Sequence, residues 1–104
     1  MGWNISHGTD RNSEYRRSYT QISNLGQHLA HVLSAADWRS IQYLFNRRSG
    51  DPFTVAAAEA DRIAALLYQA ANHRLMPADW AEDVQLLADA ADRAAAAGES
   101  WTWR

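Results

Sequence analysis

Both ends of this chain alternate with a period of two, while everything between them runs at helical spacing. Trp3, Ile5 and His7 fall on one side of an extended segment, with Gly2, Asn4 and Ser6 on the other. Trp101 and Trp103 flank Thr102 in the same way at the far end. A strand cannot satisfy its backbone hydrogen bonds alone, and a short tail frays unless it is tied down. Pairing the two segments antiparallel meets both needs and buries three indoles. The expectation is therefore a mainly α domain spanning residues 1–104: about four helices in a compact bundle, with a small antiparallel β-ribbon formed by the N- and C-terminal segments.

The helical readings come from apolar spacing. Ile22, Leu25, Leu29, Val32 and Leu33 predict a first helix from about Thr20 to Leu33. Trp38, Ile41, Leu44 and Phe45 predict a second from about Ala36 to Arg48, capped by Ser34 and closed by Gly50. Phe53-Thr54-Val55 reads as extended, with Thr54 capping a third helix from about Val55 to His73. The fourth begins at Pro77 or Ala78, carries Asp79, Glu82 and Asp83 in its first turns, and stops at Gly98. Gly8 to Ser13 is turn-rich and reads as a loop, and Glu14 to Thr20 as loop or a single helical turn.

Composition narrows function mainly by exclusion. The chain has 104 residues and no cysteine, so disulfides, thiol catalysis and Cys-ligated zinc are out. No apolar run approaches membrane-spanning length and no secretory leader opens the chain, so the expectation is a cytoplasmic protein that does not engage membranes. All ten basic residues are arginine and 20 residues are alanine, a usage that GC-rich codons produce. Charge is divided: residues 1–50 carry six Arg against three acids, and residues 51–104 carry four against nine. Such a chain can offer a basic face to an acidic partner or associate head to tail.

Four constellations are candidates for a role. Arg16 and Arg17, interleaved with Tyr15 and Tyr19, join Arg47 and Arg48 as an interaction surface, because Arg and Tyr anchor interfaces. Trp3, His7, His28, His31, Trp101 and Trp103 are a candidate ligand cleft. His28 and His31 are three apart on a helix, a spacing that can seat two imidazoles on one metal, yet no H-E-x-x-H motif is present. Glu82, Asp83, Asp89 and Asp92 mark an acidic helix face, read as solvated. The loop Arg47 to Pro52 has no phosphate-loop pattern, with Arg48 and Asp51 a candidate pair. No catalytic or cofactor motif appears, and no cofactor or metal is expected.

Gly2-Trp3-Asn4-Ile5-Ser6-His7-Gly8, the central Arg47-Arg48-Ser49-Gly50-Asp51-Pro52-Phe53-Thr54 and the closing Trp101-Thr102-Trp103 resemble a family of short uncharacterised actinobacterial proteins, chiefly of streptomycetes. The family is a domain of unknown function. The resemblance implies a single domain and a GC-rich genome; it implies no activity, cofactor or site.

The functional expectation is a small regulatory or interaction protein, rather than an enzyme, that binds another protein as an inhibitor, antitoxin-like or immunity-like factor, or adaptor. Homodimerisation would use the Ala-rich third and fourth helices or charge complementarity. The first alternative is a small-ligand or metal-binding protein using the histidines near the tryptophan ribbon. The second is nucleic-acid binding through the Arg-rich half, disfavoured by a pI of about 6.0.

Overall fold

The computed structural model describes residues 2–8, 10–46 and 51–104, with side chains described for 2–8, 15–46 and 51–104. In chain order the elements are β1 (Gly2–His7), β2 (Asp10–Ser18), α1 (Tyr19–Val32), α2 (Ala35–Ile41), a 3₁₀ turn (Gln42–Leu44), β3 (Phe53–Val55), α3 (Ala57–Ala71), α4 (Ala78–Ala97) and β4 (Trp101–Trp103). The expected architecture is present: four helices and a small antiparallel sheet that joins the two chain ends.

The sheet is wider than a two-strand ribbon. Its order is β2-β1-β4-β3, with every neighbouring pair antiparallel. The antiparallel pairing expected of the two alternating segments is present, and its register sets Ile5 opposite Trp103 and His7 opposite Trp101 across the β1–β4 pair. The other side of β4 pairs with β3, placing Phe53 opposite Trp103 and Val55 opposite Trp101. The segment Asp10–Ser18 corrects the expectation of a loop followed by a helical turn. It is a nine-residue strand hydrogen-bonded to β1. Its sequence, DRNSEYRRS, lacks an apolar alternation, so its extended state comes from pairing with β1 rather than from its own pattern. Gly8 turns the hairpin at φ +52°, a left-handed conformation that favours glycine.

Helix ends agree with the sequence where capping chemistry is local. Ser34 Oγ accepts the Asp37 N–H at 3.1 Å. Gly98 takes φ +66° and closes α4, and the Glu99 N–H returns to the Ala94 carbonyl at 3.0 Å, a Schellman-type end. Two boundaries differ. The second helix stops at Ile41 and tightens into the 3₁₀ turn, so Phe45 leaves the helical path and lies against α1. Thr54 does not cap the third helix. It sits inside β3, and the capping position falls to Ala56, whose side chain accepts no bond. The expected helix end at Arg47 and Arg48, its Gly50 cap and the Arg48–Asp51 pairing fall on residues outside those described.

One face of the sheet lies on the helices. Trp3, Ile5, Tyr15, Val55, Trp101 and Trp103 are buried there with Ile22, Leu25 and Leu29 of α1 and Val84, Leu87 and Ala91 of α4. Asn4, Arg16 and Thr54 alternate to the opposite, exposed face. Helices α3 and α4 form an antiparallel pair. Ala60, Ala64, Ala70, Ala88, Ala91 and Ala94 are buried in the core, and such small residues let two helices approach closely. The alanine-rich surfaces considered for homodimerisation are thus used largely within the chain. Between α2 and α3, the Arg62 guanidinium donates to Ser40 Oγ at 2.9 Å and to the Glu59 carboxylate.

The tryptophans belong to the core. Trp101 and Trp103 are 0% exposed and Trp3 is 3% exposed. Rings surround Trp103: Trp101 at 5.2 Å, Phe53 at 5.4 Å, Trp3 at 5.9 Å and Phe45 at 6.2 Å between centroids. Three of those contacts are edge-to-face, a geometry worth about 0.5–1.5 kcal/mol each beyond burial.

Two substitutions test this packing. Trp103→Ala should cost about 3–5 kcal/mol, a large share of the roughly 5–15 kcal/mol that stabilises a typical domain; urea denaturation followed by circular dichroism reads it directly. Gly26→Ala places a methyl 2.8 Å from Phe45 Cβ. The overpacking cost of about 1–3 kcal/mol should outweigh the roughly 1 kcal/mol that Ala gains over Gly in a helix. A rise in melting temperature for this variant would contradict that packing.

Candidate functional site

The exposed end of the β1–β2 pair, where the chain turns into α1, holds a groove of about 360 Å³. β1 supplies Gly2, Trp3 and Asn4, β2 supplies Arg16, Arg17 and Ser18, and α1 supplies Gln21. Gly2 is required at its floor: a Cβ there would lie 2.4 Å from the Arg17 carbonyl oxygen. Ser18 and Gln21 form a reciprocal cap at the start of α1. The Gln21 N–H donates to Ser18 Oγ and the Ser18 N–H to Gln21 Oε1, both at 3.1 Å. The S-x-x-Q pattern is the sequence signature of such a box. It caps α1 at Ser18, so that the helix begins at Tyr19, one residue before the start of about Thr20 expected from apolar spacing.

The two arginines of the groove behave differently. Arg17 turns toward the helices, where its Nη2 donates to Asp83 Oδ1 of α4 at 3.2 Å, its Nη1 donates to the Arg16 carbonyl at 2.7 Å, and its guanidinium lies 4.4 Å from the Tyr15 ring centre. Its charge is largely balanced at home. Arg16 is exposed and alternates to the outer face of the sheet. There it stands across from Asn4, whose carbonyl accepts the Arg104 N–H at 2.9 Å on the other side. Arg16 of β2, Asn4 of β1 and Arg104, just past the end of β4, therefore line up in one row. Among the described residues, no acidic side chain lines the groove.

The remaining interaction candidates divide. Tyr19 is half-exposed and meets Trp3 edge-to-face at 5.4 Å. Tyr15 is 7% exposed and belongs to the core, so it is not part of an accessible patch. Its hydroxyl donates to the Asp83 carbonyl at 3.4 Å. Burial pushes the Tyr15 phenol up to about 12, with the Arg17 charge opposing that rise. Arg47 and Arg48 lie outside the described residues.

The proposed ligand cleft separates into pieces. Trp3, His7, Trp101 and Trp103 come together on the β1–β4 pair, but as core. His7 is 8% exposed, and its Nδ1 lies 3.6 Å from Glu99 Oε1. The Glu99 carboxylate occupies the space that a side chain on Gly8 would need. The buried His7 Nε2 and the Trp101 and Trp103 indole nitrogens have no hydrogen-bond partner among the described residues. On α1, His28 lies against Trp80, with ring centroids 4.8 Å apart and planes tilted by 33°, while His31 is exposed. Among the described residues, no three His, Asp or Glu side chains gather as a metal-binding group.

The acidic face of α4 is only partly solvated. Asp83 holds Arg17, and Asp89 accepts the Tyr68 hydroxyl. Burial first, and then that bond, push the Tyr68 phenol up to about 12. A second concavity of about 460 Å³ lies between the start of α3 and the end of α4, lined by alanines with Asp61 and Asp92. Among the described residues, no helix is long and apolar enough to cross a membrane.

A four-stranded antiparallel sheet covered on one face by four helices is the architecture of a small, mainly α domain, and the arginine-bordered groove lies at the exposed corner of its sheet. The chain belongs to the domain-of-unknown-function family DUF7739, whose model matches residues 8–104. No curated protein and no solved structure matches it.

The two phenols with raised pKa, buried Tyr15 and partly buried Tyr68, set an alkaline limit. Both Tyr15 and Tyr68 hold their protons more tightly when folded than at the ordinary value of 10. Stability from this source is complete below pH 10 and is lost as pH rises from 10 toward 12. Circular dichroism against pH should show unfolding in that window together with tyrosinate absorbance. Tyr15→Phe should move the midpoint upward while leaving the neutral-pH fold intact.

Proposed function

We propose that this chain is a small non-enzymatic regulatory protein that acts by docking on another protein, and that the Arg16 groove is the docking site. The observation that carries this reading is the groove itself: a concave, polar corner built by three elements and bordered by an exposed arginine, with no acidic side chain among the described residues that line it. Arginine on a rigid strand, set against backbone and amide groups, suits recognition of carboxylates. The tryptophans no longer contribute to the reading, because burial spends them on the core. We place the protein in the cytoplasm of an actinobacterium, in keeping with an Arg-only basic complement and an alanine-rich helical pair. An inhibitor, an immunity-like factor and an adaptor are all compatible with this mode of action.

Affinity capture from an actinobacterial lysate, comparing the parent chain with Arg16→Glu and with Arg74→Glu as a surface control, tests the proposal. One protein should be retained by the parent and by Arg74→Glu and be lost with Arg16→Glu. Capture that is indifferent to Arg16 would move the docking site elsewhere. Nuclease-sensitive recovery of nucleic acid, falling steeply with salt, would favour the nucleic-acid alternative.

A further inference from the structure

His7 is the titratable member of an otherwise apolar row. Trp3 and Ile5 precede it on the inner side of β1, and its imidazole is buried with them at 8% exposure. Its Nδ1 stands 3.6 Å from Glu99 Oε1. That is too long for a hydrogen bond, and close enough for an ion pair once the ring is charged. Glu99 lies between α4 and β4, with its side chain 43% exposed. The carboxylate reaches the ring because Gly8 has no side chain: a Cβ there would collide with it. The pair sits where the chain closes on itself. His7 is opposite Trp101 in the β1–β4 register, and Glu99 is two residues before Trp101. Asp10 of β2 is the other register partner of His7. The residues that α1 and α4 bury are all apolar. The Arg17–Asp83 pair lies toward the far end of β2, where Arg17 is opposite Trp3.

We infer that His7 and Glu99 form a protonation-controlled latch: when the imidazole takes up a proton, ring and carboxylate close into an ion pair that pins the α4–β4 turn to the end of β1 and fixes the last strand in place. Imidazole is the side chain that changes charge between about pH 5 and pH 8. A glutamate carboxylate is ionised throughout that range. A hydrogen bond between two ionised groups is shorter and stronger than one between neutral groups. A charged ring in an apolar core is unfavourable on its own, because it loses its water. Glu99 is the group that makes the charged state tolerable. The sign follows: the coupling between the two side chains is complete where the ring is protonated and is lost as rising pH neutralises it. Without the carboxylate, acid loosens β4 instead of holding it.

The test is a double-mutant cycle in the full chain, with His7→Gln, Glu99→Gln and the two together, unfolded in urea at about pH 5 and about pH 8. The coupling should be about tenfold in the unfolding constant at the lower pH and close to none at the higher. Nuclear magnetic resonance of the His7 ring gives a second, independent reading that keeps the histidine in place. Glu99→Gln should move the ring's titration midpoint to lower pH, and Asp10→Asn should move it less. The Gly8 and Trp101 amides should follow the same midpoint as the ring. This reading decides the matter if His7→Gln does not fold. Equal coupling at both pH values would overturn the inference and leave the pair a fixed packing contact. So would a His7 midpoint indifferent to Glu99→Gln, or Trp101 amides that ignore the titration. A midpoint displaced more by Asp10→Asn would assign the imidazole to β2 and remove the latch.

Discussion

The structure depends on how Trp103 is held. It comes from the last strand, yet it touches a ring from the first strand, one from the segment after the 3₁₀ turn, one from β3 and one from its own strand. A large planar side chain can do this because its edges and faces carry opposite partial charge, so several neighbours can approach at right angles. The chain ends then have a reason to meet. β4 has three residues and would not persist alone, but it lies between β1 and β3 and hydrogen-bonds to both. The indole nitrogens of Trp101 and Trp103 are buried without a partner among the described residues, an enthalpic cost that the ring contacts must exceed.

Around this centre the two layers have different jobs. The helical layer, with its alanine-lined α3–α4 pair, is a scaffold whose contacts are satisfied internally. Even its acidic face is partly committed, since Asp83 and Asp89 answer Arg17 and Tyr68. The sheet contributes both to the core and to the exposed surface. Its inner face is aromatic, and its outer face is polar and basic at one corner. Arg16 and Arg17 show the division most clearly. They are consecutive in a strand, so one turns inward to tie β2 to α4 and the other turns outward.

How much of this was legible in the sequence follows from the range of the interactions. The helices were readable because each buries a stripe set by its own spacing, and the Ser34 and Gly98 ends because their chemistry is local. The β1–β4 pairing was readable from two alternating segments that each needed a partner. β2 was not readable: its polar run is held extended by β1, a contact its own residues do not announce. The short second helix also escaped, because Phe45 fits a helical stripe in sequence but is drawn onto Gly26, where the absence of a Cβ makes room. For the site, Arg16 and Arg17 were identified, but not that their neighbours would be Asn4, Ser18 and Gln21. Tyr15 and the tryptophans were the reverse case, since residue types that anchor interfaces are also the ones that fill small cores.

The placement of β4 between β1 and β3 also bears on the order in which the molecule can be made. During synthesis the β1–β2 hairpin, α1 and the corner around Arg16 all emerge early, and their contacts are short in sequence. β1 and β3 each wait with an open edge until Trp101–Trp103 arrives. The corner around Arg16 can thus be assembled before the core that holds it rigid, and the nascent chain must keep two strand edges from pairing wrongly until Trp101–Trp103 is delivered.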